Sequence, residues 1–237
     1  MNLILLHPED FIQADRVVLA GRRALHVREV HRAEVGESLR VGVLNGKMGA
    51  GIIRESAPDR IVLDVDLVED PPRSLPVTLL LAMPRPKGFR RIIQGVTSMG
   101  VKRIALFGAF RVEKSYWKSP WLDPEALREQ LVLGLEQARD TLLPEITIHP
   151  LFKPFAEDVV PVLSAGSRRL VAHPGDGGIC PTAVAEPVTL AIGPEGGFTD
   201  YEVSLLTGQG FEPVTLGPRI LRSEQAVPAF LGRLMEG

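Results

Sequence analysis

The sequence predicts an α/β protein with a mostly parallel sheet, preceded by a smaller β-rich module. Residues 1 to about 70 hold short alternating runs bounded by turn residues. From Val77 onward, continuous apolar runs alternate with segments of helical spacing, as expected of strands buried on both faces and joined by crossover helices. Between the two regions, Asp70-Pro71-Pro72-Arg73-Ser74 reads as a stiff polar linker. The domain boundaries expected from this pattern are 1–70 and 71–237.

In the first region Arg22 to Val30 is expected to be a helix, with Leu25 and Val30 inward and the arginines outward. Ser38 to Leu44 alternates and runs into Asn45-Gly46, a hairpin signal. Gly49 to Ile53 and Arg60 to Val68 continue the strands, and a small barrel is a natural closure for them. In the second region Val77 to Met83 reads as a buried strand. Gly88 to Met99 has helical spacing through Phe89, Ile92, Ile93 and Val96. Strands are expected at Arg103 to Phe107, Glu145 to Ile148, Arg169 to Ala172, Val188 to Ile192 and Pro213 to Leu216. Helices are expected at Pro124 to Arg139, Asp200 to Leu206 and Glu224 to Met235.

Composition bounds the class. The chain has 237 residues, 45% hydrophobic and 24% charged, which fits an ordinary globular protein. No apolar run reaches membrane-spanning length, and Met1 to Pro8 lacks a basic n-region, so no membrane partner and a cytoplasmic location are expected. A single cysteine, Cys180, excludes an intramolecular disulfide and a cysteine metal site, and no metal is expected. The net charge of −2 does not announce a nucleic-acid binder. Local charge says more. Arg16, Arg22, Arg23, Arg28, Arg32 and Arg40 crowd one region, and Arg85, Lys87, Arg90, Arg91, Lys102 and Arg103 form a second group. Solvated helix faces are the plain alternative, because Glu29, Glu34 and Glu37 offset the first group; two such groups still make RNA or DNA a serious partner.

The chemistry concentrates in two glycine-proline loops, each leaving an apolar run: Ile192-Gly193-Pro194-Glu195-Gly196-Gly197 and Leu216-Gly217-Pro218-Arg219-Ile220-Leu221-Arg222-Ser223-Glu224. Ligands of α/β proteins sit at such strand exits. The first loop lacks a Gly-Lys-Ser/Thr ending and the Gly-x-Gly-x-x-Gly spacing, and Glu195 would repel a phosphate, so a neutral or cationic ligand suits it better. A tight turn feeding a helix is the alternative, supported by the capping-box pattern Thr199-Asp200-Tyr201-Glu202. In the second loop Ile220 and Leu221 are either core residues or a wall for an aromatic base. Arg222 precedes Ser223, the expected N-cap, and Glu224, in a first turn where the helix dipole favours the ionised carboxylate. Arg222 and Glu224 could hold charge in a transition state or form a surface ion pair. Glu136 to Arg139 reads as solvated, His173 as a third strand exit, and Trp117 and Trp121 as packing or base-stacking residues.

These loops, in this order, resemble the RsmE-type 16S ribosomal RNA uridine-N3 methyltransferases of the SPOUT superfamily. The likeness extends through Met99-Gly100-Val101, Glu113-Lys114-Ser115, Glu136 to Arg139 with Pro144-Glu145-Ile146, and Leu170 to Pro174. The resemblance implies a PUA-like RNA-binding β-barrel at 1–70 and a trefoil-knotted SPOUT domain at 71–237, with its cofactor site at about 168–224. It implies S-adenosylmethionine as cofactor, a homodimer, and 16S rRNA or the 30S subunit as partner. Carried over residue by residue, it implies cofactor contacts at Leu170, Val171, Ala172, His173, Ile192, Gly193, Gly197, Leu216, Ile220 and Leu221. With it, catalytic roles are expected for Arg222 and Glu224, and the two basic groups supply the expected RNA contacts, Arg22, Arg23, Arg28, Arg32, Arg85 and Lys87. A sulfonium cofactor without phosphate agrees with the residue-level reading of the first loop. The sequence departs from the family at Ser223 and Gln225, where threonines are usual, at Ser98-Met99, where Glu-Leu is usual, and at Pro228, which is expected to bend or loosen the start of the last helix. Two alternatives remain: an RNA-binding assembly factor without turnover, and a methyltransferase acting on another RNA or nucleobase atom.

Overall fold

The computed structural model describes residues 2–175 and 177–235. The chain divides into two compact units, Met1–Arg73 with Val132–Leu143, and Ser74–Leu131 with Pro144–Gly237. The segment 132–143, which the sequence assigns to the second domain, therefore packs with the first.

In the first unit the strands are β1 (Ile4–Leu6), β2 (Phe11–Gln13), β3 (Arg16–Ala20), β4 (Ser38–Val43), β5 (Met48–Ser56) and β6 (Arg60–Glu69). They form a six-stranded sheet in the order β1-β4-β5-β6-β3-β2, antiparallel except where β1 runs parallel to β4. Alternation along these strands buries Leu6, Val17, Leu19, Val41, Ile53, Ile61 and Leu63 in one core. The expected helix is α1 (Gly21–His26), which passes into a π-helical turn at Val27–His31. Its phase differs from the expectation: Leu25 and Val30 are exposed, and Ala24 and Val27 point inward, one helical turn apart. Asn45-Gly46 does form the turn after β4. Asn45 takes φ 59°, and its side-chain oxygen accepts the Leu143 N–H at 2.8 Å.

The second unit holds β7 (Leu75–Ala82), α2 (Pro86–Ser98), β8 (Val101–Phe107), α3 (Pro124–Ala138), β9 (Glu145–His149), α4 (Phe152–Pro154), α5 (Val160–Leu163), β10 (Arg168–Ala172), β11 (Gly178–Ile179), β12 (Val188–Ile192), α6 (Asp200–Gly208), β13 (Glu212–Thr215) and α7 (Ser223–Leu234). Helix α3 continues into the segment that folds with the first unit. A π-helical turn, Phe155–Val159, joins α4 to α5. The seven strands lie in the order β11-β13-β10-β12-β7-β8-β9, and all their pairings are parallel. Continuous apolar runs such as Leu79 to Met83 and Leu190 to Ile192 are buried, as a sheet covered on both faces requires. Helix α2 turns Phe89, Ile92, Ile93 and Val96 inward, as its spacing predicts.

One crossing positions the site. From β10 the chain passes, by way of the short edge strand β11, to β12 on one side, then returns to β13 on the other. Loops leaving the carboxyl ends of these three strands diverge there, which opens a crevice of the kind that binds ligands in α/β sheets.

Candidate functional site

The crevice is a partly open cleft within the second unit. Three strand exits wall it. Ala172, His173 and Pro174 leave β10; Ile192 and Gly193 leave β12, followed by Gly197 and Phe198; Val214, Thr215 and Leu216 leave β13. Arg219, Ile220 and Leu221 close the far side, and Ser223, Ala226 and Phe230 of α7 form the floor.

Local hydrogen bonds set these walls. The His173 N–H donates to Val214 O at 3.1 Å, which extends the β10–β13 ladder one residue past the strand. In the second loop the Gly217 N–H donates to Thr215 Oγ1 at 3.2 Å, and that hydroxyl donates to Gly217 O at 2.9 Å. Gly217 takes φ +126°, open to glycine alone at low cost, and the turn sends Ile220 and Leu221 back over the cleft. Ile220 is a large apolar side chain at the edge of the cleft, 84% exposed. On the first loop the Thr199 capping box is present: the Glu202 N–H donates to Thr199 Oγ1, and the Glu202 carboxylate accepts the Thr199 N–H at 2.8 Å.

Of the residues expected at the cofactor, Ala172, His173, Ile192, Gly193, Gly197, Leu216, Ile220 and Leu221 line this one cleft. Leu170 and Val171 lie in β10, fully buried in the sheet beneath it. The side chains of Arg222 and Glu224 are not brought together. Arg222 is exposed and, among the described residues, unpaired. The Glu224 carboxylate instead rests on the first turn of α2, so close that a Cβ at Gly88 would overlap it. Arg222 is the N-cap of α7, and Ser223 is its first helical residue, buried at 4% exposure, rather than the cap that its type suggests. Helix α7 runs unbroken across Pro228, and its start is bonded, with the Gln225 and Ala226 N–H groups donating to Arg222 O. The first turn is therefore not loosened, although Pro228 removes the N–H that would meet Glu224 O.

The residues expected at RNA have different surroundings. Arg22 makes a two-pronged ion pair with Glu136, both bonds at 3.0 Å, and Arg23 pairs with Asp10 at 2.5 Å while donating to Leu5 O. Arg28 donates to Pro58 O and lies 3.7 Å from Glu29. Arg32, Arg85 and Lys87 are exposed. Glu136, read from sequence as solvated, is 2% exposed and is Arg22's anchor. Trp121 lies under the Arg90 guanidinium at 4.5 Å, a cation–π contact.

Sequence reasoning missed Arg219, Phe198 and Phe230 in the cleft. Arg219 sits in the same loop as Arg222, and only the turn at Gly217 decides which arginine faces inward. Phe230 lies on the α7 stripe with Ala226, a signal that helical spacing carries. The Tyr116 hydroxyl donates to Glu113 at 3.2 Å; burial, the largest influence, raises its pKa above the usual tyrosine value. Among the described residues no group of His, Cys, Asp and Glu could hold a metal ion, and no helix is long and apolar enough to cross a membrane.

A family profile described as an RNA methyltransferase domain matches residues 71–235, the whole sheet of the second unit with its cleft. The chain belongs to this RNA methyltransferase family. Its relatives include the ribosomal RNA small subunit methyltransferase E of Treponema pallidum (strain Nichols), 29% identical over 97% of this chain and 88% of that one. The protein of the same name from Synechocystis sp. (strain ATCC 27184 / PCC 6803 / Kazusa) is 29% identical over 98% of this chain and 76% of its own. Among solved structures, the Neisseria gonorrhoeae ribosomal RNA small subunit methyltransferase E bound to S-adenosyl methionine shares the fold, with TM-score 0.76, 21% identity and coverage of 98% and 95%.

Proposed function

We propose that this RNA methyltransferase transfers a methyl group from S-adenosylmethionine to N3 of a uridine in small-subunit ribosomal RNA. The cleft carries the reading. It pairs an apolar wall of Leu216, Ile220 and Leu221 with glycines and has no phosphate-binding Gly-Lys-Ser/Thr turn. The buried His173 Nδ1 has no partner among the described residues, which leaves a polar anchor for a ligand. When bound, the cofactor supplies an electrophilic methyl group on a sulfonium.

The chain's own residues then have separable tasks. Ile220 and Leu221 cover the adenine and exclude water. Gly193 and Gly197 let the backbone approach closely. Uridine N3 lies on the Watson–Crick edge, so the base must be unpaired and presented singly. Arg222, exposed beside the cleft and unpaired among the described residues, stabilises negative charge on the uracil oxygens as the N3 proton passes to solvent water and N3 accepts the methyl group. Alignment of N3 supplies most of the remaining rate. Glu224 acts from the α2 turn, and its proposed role is to hold the start of α7, and so Arg222, in place.

The same reading includes a PUA-like barrel for the first unit, a trefoil knot at the β10, β12 and β13 crossing, and a homodimer with 16S rRNA or the 30S subunit as partner. Arg28, Arg32, Arg85 and Lys87 are the proposed phosphate contacts, and Arg22 and Arg23 serve RNA through the surface that their ion pairs hold. Primer extension on small-subunit rRNA from a deletion strain tests the function. Restoring this chain should create a strong stop at one uridine, because N3 methylation blocks pairing; no stop sinks the proposal. Arg222→Ala should lower methylation by at least about 100-fold while the calorimetric cofactor affinity stays within about threefold; unchanged turnover would refute the role of Arg222.

A further inference from the structure

We propose that Arg111 and Glu195 are positioning residues, which clasp the loop Gly193–Phe198 from outside the cleft and so fix the glycine wall against which the cofactor lies. The proposal rests on the reading of the cleft as an S-adenosylmethionine site.

Arg111 follows β8, beyond Gly108-Ala109-Phe110. Its guanidinium donates to Gly196 O and, at 3.4 Å, to Phe198 O. Its aliphatic stem packs on Gly196, where an added Cβ would stand 3.0 Å from Arg111 Cδ. The loop's second fixing is Glu195, whose Oε1 accepts the Arg85 N–H at 3.1 Å. Beyond the loop, Phe198 turns inward and stacks on Phe107, with ring centroids 6.1 Å apart and planes within 6°. Gly193 and Gly197 line the cleft between these fixings, whereas neither Arg111 nor Glu195 lines it.

This arrangement answers a physical need. A Gly-Pro-Glu-Gly-Gly loop has few side chains to hold its own shape, and its glycines lose the most backbone freedom on ordering. Fixing it in advance spares the ligand that ordering cost. The adjoining chain is well suited to carry the clasp: the Phe110 N–H donates to Glu202 Oε1 at 2.7 Å, which fixes the turn that Arg111 leaves. The loop is thus tied through its carbonyls to the turn after β8, and through a carboxylate to the turn before α2.

Calorimetric titration of the full chain with S-adenosylmethionine, beside steady-state methylation, tests the clasp. Arg111→Ala and Glu195→Ala should each raise the cofactor Kd and KM about tenfold, the loss expected for a charged hydrogen bond, with kcat at saturating cofactor within about twofold. Glu195→Gln keeps an oxygen that accepts the Arg85 N–H and should stay within about threefold of wild type. A merely structural role would lower the melting temperature and leave the Kd of the folded protein unchanged. Folded Arg111→Ala and Glu195→Ala with wild-type Kd overturn the proposal. Should Arg111→Ala not fold, Arg111→Met, which keeps the apolar stem and removes the donors, and Glu195→Ala decide it by the same criterion. A wild-type chain that binds no S-adenosylmethionine overturns the cofactor reading instead, and that titration comes before any variant.

Discussion

The Glu224 carboxylate occupies the space that a side chain at Gly88 would need. Gly88 lies in the first turn of α2 with an ordinary helical φ, so alanine there would by itself add about 0.5–1 kcal/mol of stability. The Glu224 carboxylate is the far end of a flexible, half-buried side chain, so it swings aside to admit a methyl group there. Gly88→Ala should therefore keep or raise stability in urea denaturation, yet reduce methylation about tenfold because Glu224 leaves the α2 turn. The double variant Gly88→Ala/Glu224→Ala should be no less active than Gly88→Ala alone. A single Gly88→Ala variant with full turnover would show that Glu224 has no positioning role. None of this closeness is legible in the sequence. Arg222 and Glu224 stand two apart in the chain, which invites an ion pair, but the helix start sends their side chains in different directions. The residue that meets Glu224 is more than a hundred positions away.

Helix α3 shows what spacing can and cannot reveal at the scale of an element. Its span, Pro124–Ala138, follows closely the expectation from the pattern, because a proline start and helical apolar spacing are local signals. Its allegiance is not local. Glu136 reads as one more polar helix residue, yet it is buried and holds both prongs of Arg22. Because Arg22 is partly solvated, Glu136→Ala should cost about 2 kcal/mol in chemical denaturation. A loss below about 0.5 kcal/mol would mark the pair as incidental. Strand β9 gives a pH test. Burial pushes the His149 pKa below the ordinary histidine value; the ring lies 4.9 Å from Phe155, with Nε2 2.9 Å from Thr147 Oγ1. The folded state therefore favours the neutral ring, and the unfolded chain binds the proton first as pH falls below about 6.5. Stability from this group is present above that pH and lost on the acid side. Between about pH 7.5 and 5.5, His149→Phe should lose less stability than wild type in thermal melts; parallel curves would exclude the effect.

For the whole molecule, the α/β class and the strand exits were readable because buried parallel strands and Gly-Pro turns leave patterns within a few residues. The strand order, with β13 returning past β10, leaves none, since each run reads alike wherever it sits in the sheet. The proposed RNA contacts come from both units, Arg28 and Arg32 from one, Arg85 and Lys87 from the other. If all four meet phosphates, log K against log salt should have a slope of about −3 for single-stranded RNA, and each alanine variant should flatten it by about 0.7. Variants in either unit that leave the slope unchanged would remove those residues from the interface. The segment Val132–Leu143 carries a different consequence. Val132 and Leu135 cover Leu3, Leu5 and Met48 of the first unit. On the ribosome, the strands of that unit are complete about 70 residues before their cover is made, a wait on the order of 4–14 s at ordinary synthesis rates. The N-terminal unit therefore cannot complete its core until residues 74–131 of its neighbour have also been synthesised, and until then its apolar side is open to whatever binds nascent chains.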